Sequence, residues 1–574
     1  MIFLFNSNKF EKKFVGLYNT LKKYSHYISF ILLFLIVSII TYYRVMIQIN
    51  LGPIWDTYDF LSNALVFAGQ GIGYADLTRP PFLSFLTSLF FRLGYVSPTV
   101  IFALDGAIFV FGVIGFYLLL KIRFNDIESF LGTLLFVTFP IVLCFAGSGL
   151  TDVPSLSFSI WAIYFTVLAV KENSKFFYLA FPFLMLAFLT RYAIAFAIFP
   201  MMFYILINKR LIRDIKDILI GIFTSFLFVI PVLLFFYSTF GNPVYPFFSF
   251  YGATVTSNIS PENFSYNFNT LYFLFRIPVY MGIESIAVLM IISFGVVVWG
   301  FNNLKKLRST SKRLLNIRNL QKATKIKLLV SSLLLILFLD TFGKIFYMFS
   351  EVLFFVFSFA FYELLKSFEL KDMDLNFLFL SWFMAFFIFH SFYVIKDDRY
   401  FITMVPAISY FLILGLNGVS DRLSYKIKNR KITFNLFAVF LVAMILLSPL
   451  SYLSDFQENN YEIKVSDGQI NSAGQWLMNY DPNYKNKVIY SDLWAGNAWY
   501  LRTHVGMMPI FKDNQKFYCG VKHCSFNSND NKAFNSYLDS NNVDYYFCVR
   551  KGLNLTGYKA IKQFNNLVLY ERVD

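Results

Sequence analysis

Between residues 27 and 450 the sequence is a succession of apolar blocks. Each runs for about 18 to 22 residues, the length that crosses ~30 Å of hydrocarbon at 1.5 Å per residue. Lys and Arg sit mainly in the short segments between blocks. That arrangement decides how the charge is read. A net charge of +16 would suit a nucleic-acid partner. Basic residues gathered in alternate loops instead follow the positive-inside pattern of a multi-pass membrane protein. With 57% apolar and 15% charged residues in a chain of 574, there is too little charge to coat a soluble surface of this size. The implied surroundings are membrane lipids, and nucleic acid is excluded as a partner.

The first 26 residues carry Lys9, Lys12, Lys13, Lys22 and Lys23, and no small-residue cleavage site follows the next apolar run. This predicts a cytoplasmic N-terminus and an uncleaved first span. Spans are expected at about 27–49, 100–120, 128–147, 154–170, 177–190, 192–207, 218–237, 279–300, 328–347, 350–366, 376–394, 401–419 and 433–450. With these thirteen, every basic loop falls on one side, including 301–327, the most basic stretch. Two long outer loops, about 50–98 and 238–277, lack Lys. Residues 455–574 are polar and form the last domain. VIYSD (488–492) reads as a strand, WAGNAWYLR (494–502) as a helix, and VDYYFCV (543–549) and LVLYERV (567–573) as further strands. No phosphate-binding Gly-rich motif occurs in it. The expected fold class is an all-α polytopic membrane domain, residues 27–450, followed by a small extracytoplasmic α/β domain.

Chemistry-bearing residues gather at the outer ends of the spans. Asp56 and Asp59 follow the first span in PIWDTYDF, and Arg79 precedes an amphipathic stretch, PPFLSFLTSLFFRLG. Asp152 lies in TDVP, Arg191 in FLTRY, and Lys396, Asp397, Asp398, Arg399 and Tyr400 in KDDRY. A single Asp there would cap a helix and a single Arg would snorkel to headgroups. Four outer segments with such groups at one depth point to a shared polar site. A carboxylate can act as general base on a hydroxyl, and Arg or Lys can hold a phosphate leaving group.

In their order along the chain these motifs resemble the polytopic GT-C glycosyltransferases, in particular the protein mannosyltransferase and aminoarabinose transferase branch. The matching segments are W-D-T-Y-D after the first span, R-P-P-F-L-S-F-L, L-A-F-L-T-R-Y and D-D-R-Y-F-I-T-M-V-P-A; FGNPVYPF (240–247) is similar to prokaryotic members. The resemblance covers about 50–420. It implies transfer of one sugar from a polyprenyl- or dolichyl-phosphate donor to a glycan, lipid or protein acceptor, with inversion. It implies a first-loop aspartate as base. The family has Asp-Glu where this chain has Asp56-Thr57, which leaves Asp56 and Asp59 both open. Arg79, Arg191 and Arg399 are the implied phosphate contacts, with Lys396 and Tyr400 beside them. Asp152, Asp397 and Asp398 are candidates for sugar, acceptor or metal, a divalent metal ion being the only cofactor in view. The Trp-Trp-Asp-Tyr-Gly pattern of oligosaccharyltransferases is absent. Sugar, carrier length, acceptor and metal dependence stay open.

The competing reading is a transporter or flippase. It would place ionisable groups near mid-span, as Asp340, Lys344 and Glu351 are placed. Of the four histidines, His390 comes nearest the outer cluster, with packing its expected role. Cys519 and Cys524 are spaced for a disulfide in an extracytoplasmic domain, or with His523 for part of a metal site. Asn258, Asn263 and Asn554 stand in N-x-S/T sequons on the outer side.

Overall fold

The computed structural model describes residues 25–54, 56–71, 76–256, 269–302, 322–367, 373–393, 396–427, 430–512, 515–517 and 526–573. Cys519, His523 and Cys524, the sequons at Asn258 and Asn263, and most of the basic loop 301–327 lie outside them.

The helices follow the apolar blocks. They are α1 (Ser25–Leu51), α2 (Thr57–Phe67), α3 (Phe82–Arg92), α4 (Pro98–Lys121), α5 (Asp126–Thr138), α6 (Pro140–Phe145), α7 (Asp152–Lys171), α8 (Phe177–Thr190) and α9 (Ile198–Ile207). The second half of the bundle has α10 (Ile215–Phe240), α11 (Ile277–Asn302), α12 (Lys322–Thr341), α13 (Tyr347–Lys366), α14 (Met373–Phe392), α15 (Val405–Ile427) and α16 (Arg430–Asn459). Among the described residues, nine helices are long and apolar enough to cross a membrane. The chain is a multi-pass membrane protein.

Nine is fewer than thirteen for identifiable reasons. The block at 128–147 is cut in two. Pro140 has no N–H to continue α5, and Phe139 before it takes an extended ψ of 123°. Residues 192–207 open as a 3-10 helix, Tyr192–Ala197, before α9 begins. The helix ending at Thr190 is short because Arg191 has extended backbone. Finally, α12 carries Lys322, Lys325 and Lys327 in its first two turns.

Packing separates a core from a rim. The α7 helix is enclosed by α4 and α8, and α14 by α9, α13 and α15. One apolar cluster runs from Leu33 to Trp499 through these helices. Peripheral helices instead turn large apolar side chains outward, as Phe223, Leu227 and Leu234 of α10 and Leu329, Leu333 and Ile336 of α12 do. A helix apolar on its outer face belongs against lipid. The expected outer loop 50–98 is built of α2 and α3, which pack on each other.

After α16 the chain forms α17 (Tyr461–Tyr480) and an α/β unit with α18 (Trp494–Leu501) and α19 (Ser528–Ser540). Its strands are β1 (Ile489–Ser491), β2 (Val505–Met507), β3 (Ile510–Lys512), β4 (Gln515–Phe517), β5 (Tyr545–Cys548), β6 (Tyr558–Phe564) and β7 (Leu567–Arg572). The five-stranded sheet has the order β2-β1-β5-β7-β6. β1 is parallel to β2 and β5, while β7 runs antiparallel to β5 and β6. The helix expected at 494–502 and the three expected strands coincide with α18, β1, β5 and β7.

Candidate active site

Two turns of chain deliver the carboxylates. The α1 helix ends at Leu51, and α2 opens with Asp56 as its N-terminal flanking residue. Thr57 Oγ1 donates to the Ser148 carbonyl at 3.1 Å, fixing α2 against the loop that precedes α7. That loop needs glycine. Gly149 has φ +78°, and a Cβ there would stand 2.8 Å from the Thr57 methyl. The Gly149 amide donates to the buried Asp105 carboxylate at 2.9 Å. Arg44, fully buried in α1, donates to the carbonyls of Leu143 and Cys144 at 2.8 and 2.6 Å. The loop is thereby held from inside the bundle, and Asp152 follows it at the first turn of α7.

Around this frame the basic residues interleave with the acids. Arg79 reaches Asp59 at 2.6 Å, Asp56 at 3.1 Å and Asp76 at 3.2 Å. Arg399 reaches the other oxygen of Asp56 at 3.1 Å, Asp397 at 3.0 Å and Asp152 at 4.0 Å. Arg191 pairs with Asp152 at 2.7 Å. Asp56 therefore bridges two guanidinium groups that come from segments 320 residues apart in sequence, 79 and 399. The Tyr400 ring lies 5.5 Å from the Arg191 guanidinium and 5.8 Å from that of Arg399. His390 stacks on Tyr400 at 4.9 Å, a packing role. Tyr192 donates to the Thr78 carbonyl at 3.2 Å, tying the Arg191 segment to the Arg79 segment.

Two residues of the KDDRY segment are engaged otherwise. Lys396 is buried and donates to the carbonyls of His390, Ser391 and Tyr393 at 2.8, 2.6 and 2.5 Å. Burial pushes its amine down to about 7, while three carbonyls take up all three ammonium hydrogens. It closes the end of α14 and has no donor to spare for a phosphate. Asp398 takes other partners. It pairs with Arg276 at 2.9 Å and accepts from Tyr272 and Tyr280.

The two first-loop carboxylates are driven in opposite directions. Burial raises Asp56, but Arg79 and Arg399 outweigh it and hold the group at about 2. Burial raises Asp59 further than Arg79 can offset, and the neighbouring Asp56 and Asp76 charges add to it, giving about 7. Adjacent carboxyls pushed apart in this way take different proton roles. Stability is linked to both. Between its ordinary 3.8 and about 7, Asp59 keeps a proton in the folded chain that the unfolded chain has released. Stability falls as pH rises through that window. Asp56 works in the other sense, its contribution disappearing as pH falls from 3.8 towards about 2. Asp59→Asn should flatten the pH dependence of thermal unfolding between pH ~4 and ~7. The check is melting of both proteins in lipid nanodiscs across that range. An identical slope in wild type and variant would discount the Asp59 titration.

Among the described residues no three of His, Cys, Asp and Glu come together as a metal site. Asp152 and Asp397 are each held by an arginine. Arg44, Asp76, Asp105 and Arg276 did not stand out in the sequence. Arg44 and Asp105 carried a usable signal, each being a charge inside an otherwise apolar block. Of the mid-span exceptions, Asp340 pairs with Lys344 at 2.8 Å on the exposed rim. Glu351 is wholly buried, with neither oxygen hydrogen-bonded among the described residues.

Residues 78–235 match the model of the family described as dolichyl-phosphate-mannose-protein mannosyltransferase. No curated protein matches the sequence. Two crystal structures of ArnT from Cupriavidus metallidurans are similar over 94% of this chain and 97% of theirs. The one bound to undecaprenyl phosphate has TM-score 0.53 at 11% identity, and the apo one 0.52 at 12%. A lesser likeness, TM-score 0.45 at 13% identity, links 88% of the chain to 67% of an Archaeoglobus fulgidus oligosaccharyltransferase. The arginine–carboxylate cluster thus sits in a polytopic membrane protein of the GT-C fold, whose segment 78–235 is similar to the protein mannosyltransferases.

Proposed function

We propose that the chain is an inverting glycosyltransferase that moves one sugar from a polyprenyl-phosphate donor to an acceptor hydroxyl at the outer membrane interface. The observation that carries this is Asp56, held between Arg79 and Arg399 at 3.1 Å each. The mannosyltransferase-like segment and the undecaprenyl phosphate of the ArnT structure support the class of donor.

A lipid phosphate entering the cluster competes with Asp56 for both guanidinium groups. Asp56 gives each guanidinium only one oxygen, so a phosphate that pairs with it through two parallel hydrogen bonds can compete. As Arg79 and Arg399 turn to the phosphate, Asp56 loses the charges that hold it near 2 and becomes a stronger base. It then takes the proton of the acceptor hydroxyl. The acceptor oxygen bonds to the anomeric carbon from the opposite face, and the bond from that carbon to the phosphate oxygen breaks. The polyprenyl phosphate leaves with the electron pair, its charge held by the arginines. Arg191 orients Asp152, whose proposed role is to receive sugar or acceptor hydroxyls. Arg79, Arg191, Arg399 and Tyr400 form the proposed donor side, with Asp56 as base and Asp59 as its protonated neighbour. The charge of the basic loops supports a cytoplasmic N-terminus and an outer C-terminal domain.

Purified protein in liposomes, given a radiolabelled polyprenyl-phosphate sugar and an extract of envelope glycoconjugates, should yield a labelled acceptor. Glu351, buried with no hydrogen bond among the described residues, is the observation on the side of transport. Substrate counterflow in the same liposomes with no labelled acceptor would favour that reading.

A further inference from the structure

We infer that the C-terminal domain positions the Asp56–Asp59 turn, and that Asp467 is the residue through which it does so; the catalytic consequence rests on the function proposed above. Asp467 lies on α17. One of its oxygens accepts from Tyr58 at 2.5 Å and from Tyr500 at 2.6 Å. Tyr58 stands between the two site carboxylates on α2, while Tyr500 belongs to α18. A single carboxylate therefore joins the first outer loop to the C-terminal domain, across 409 positions of sequence.

The surroundings are built for the contact. Gly52, with φ +91°, brings the chain so close that a Cβ there would lie 2.7 Å from Asp467. The Tyr58 and Tyr500 rings meet edge to face at 6.5 Å. Next to Tyr500, Trp499 is buried against Phe91 of α3 at 6.1 Å and belongs to the apolar cluster of the membrane domain. The Arg502 guanidinium lies over the Trp499 ring at 3.7 Å. The α2 turn is thus gripped from two directions. Thr57 is tied to the loop before α7 and Tyr58 to the C-terminal domain, while Asp56 and Asp59 on either side of them meet Arg79. Loss of either tie lets the carboxylates drift from the arginines without breaking an ion pair directly.

The test uses Tyr58→Phe, Asp467→Ala and the double variant of the full chain in nanodiscs. Amide hydrogen exchange of residues 56–60 is read beside transfer kinetics and melting. Tyr58→Phe keeps the ring and its packing, so the melting temperature should stay near wild type. Exchange in the turn should accelerate, and kcat should fall about tenfold with donor KM little changed, as expected when reacting groups are misplaced by a fraction of an ångström. The double variant should lose no more kcat than Asp467→Ala alone, because both substitutions remove one interaction. Wild-type exchange rates in both single variants would overturn the latch, whether or not the chain transfers sugar. Faster exchange with unchanged kcat would overturn its positioning role. Faster exchange in a protein that transfers no sugar at all would uphold the latch and reject only the glycosyltransferase reading.

Discussion

Asp56→Asn should stop sugar transfer while leaving the grip on lipid phosphate intact or tighter. Turnover is expected to fall by roughly 10²–10⁴-fold, the range a positioned general base contributes. The affinity half of the expectation is the more discriminating. In the resting site Asp56 occupies Arg79 and Arg399. An amide of the same shape no longer competes as a charge, so both guanidinium groups are freer to receive a phosphate. A residue that merely stabilised the fold would lower turnover and binding together. Titration of undecaprenyl phosphate against wild type and Asp56→Asn, beside single-turnover transfer, separates the two cases. Wild-type turnover in Asp56→Asn would remove Asp56 from the base role.

Arg79→Ala should have the second largest effect, and chiefly on the donor. Arg79 is the hub of the first loop, with Asp56, Asp59 and Asp76 all within 3.2 Å. Hydrogen bonds to charged groups contribute about 1.5–3 kcal/mol each, so losing the contact to phosphate should weaken donor binding by about 10–150-fold. Asp76 left without Arg79 repels an incoming phosphate and adds to the loss, while Asp56 keeps Arg399. Asp59, deprived of the charge that opposes its burial, should hold its proton to a higher pH. Arg79→Lys should recover part of the affinity, since ammonium supplies the charge without the planar fork. Donor binding measured by competition with a fluorescent polyprenyl phosphate reads all three proteins. Equal affinity in wild type and Arg79→Ala would exclude Arg79 from the phosphate site.

Much of this architecture is legible in the order of residues alone. Block length marks the spans, and loop charge marks their expected alternation. Apart from Asp398, the acids and arginines of WDTYDF, TRPP, TDVP, LTRY and DDRY fall in one cluster, because each stands where an apolar run stops and its side chain must find water or a partner. Proximity in space, however, does not say which partner a charge takes. Lys396 and Arg399 are three residues apart, yet one binds carbonyls at a helix end and the other enters the cluster. Asp397 and Asp398 are adjacent and face different arginines. Such choices depend on local backbone direction, set here by the 3-10 turn Asp398–Met404. Breaks within spans are also hidden. Pro140 is plain to see, but only packing decides that it cuts a helix rather than kinks it. The tie between Asp467 and Tyr58 is beyond any local pattern, since nothing near either residue names the other.

The arginines of the resting cluster are already matched by carboxylates. With five acids, Asp56, Asp59, Asp76, Asp152 and Asp397, around three arginines, such a site presents no positive field to a distant anion, and salt screens its charges beyond about 10 Å. It therefore does not draw an anionic donor out of bulk water. With the donor proposed above, the prenyl tail would do that work by confining it to the bilayer, where the search is two-dimensional. The concentration that governs the rate is then donor per lipid rather than donor per litre. Diluting the donor with inert phospholipid slows such an enzyme at constant bulk amount, and raising the salt scarcely changes it.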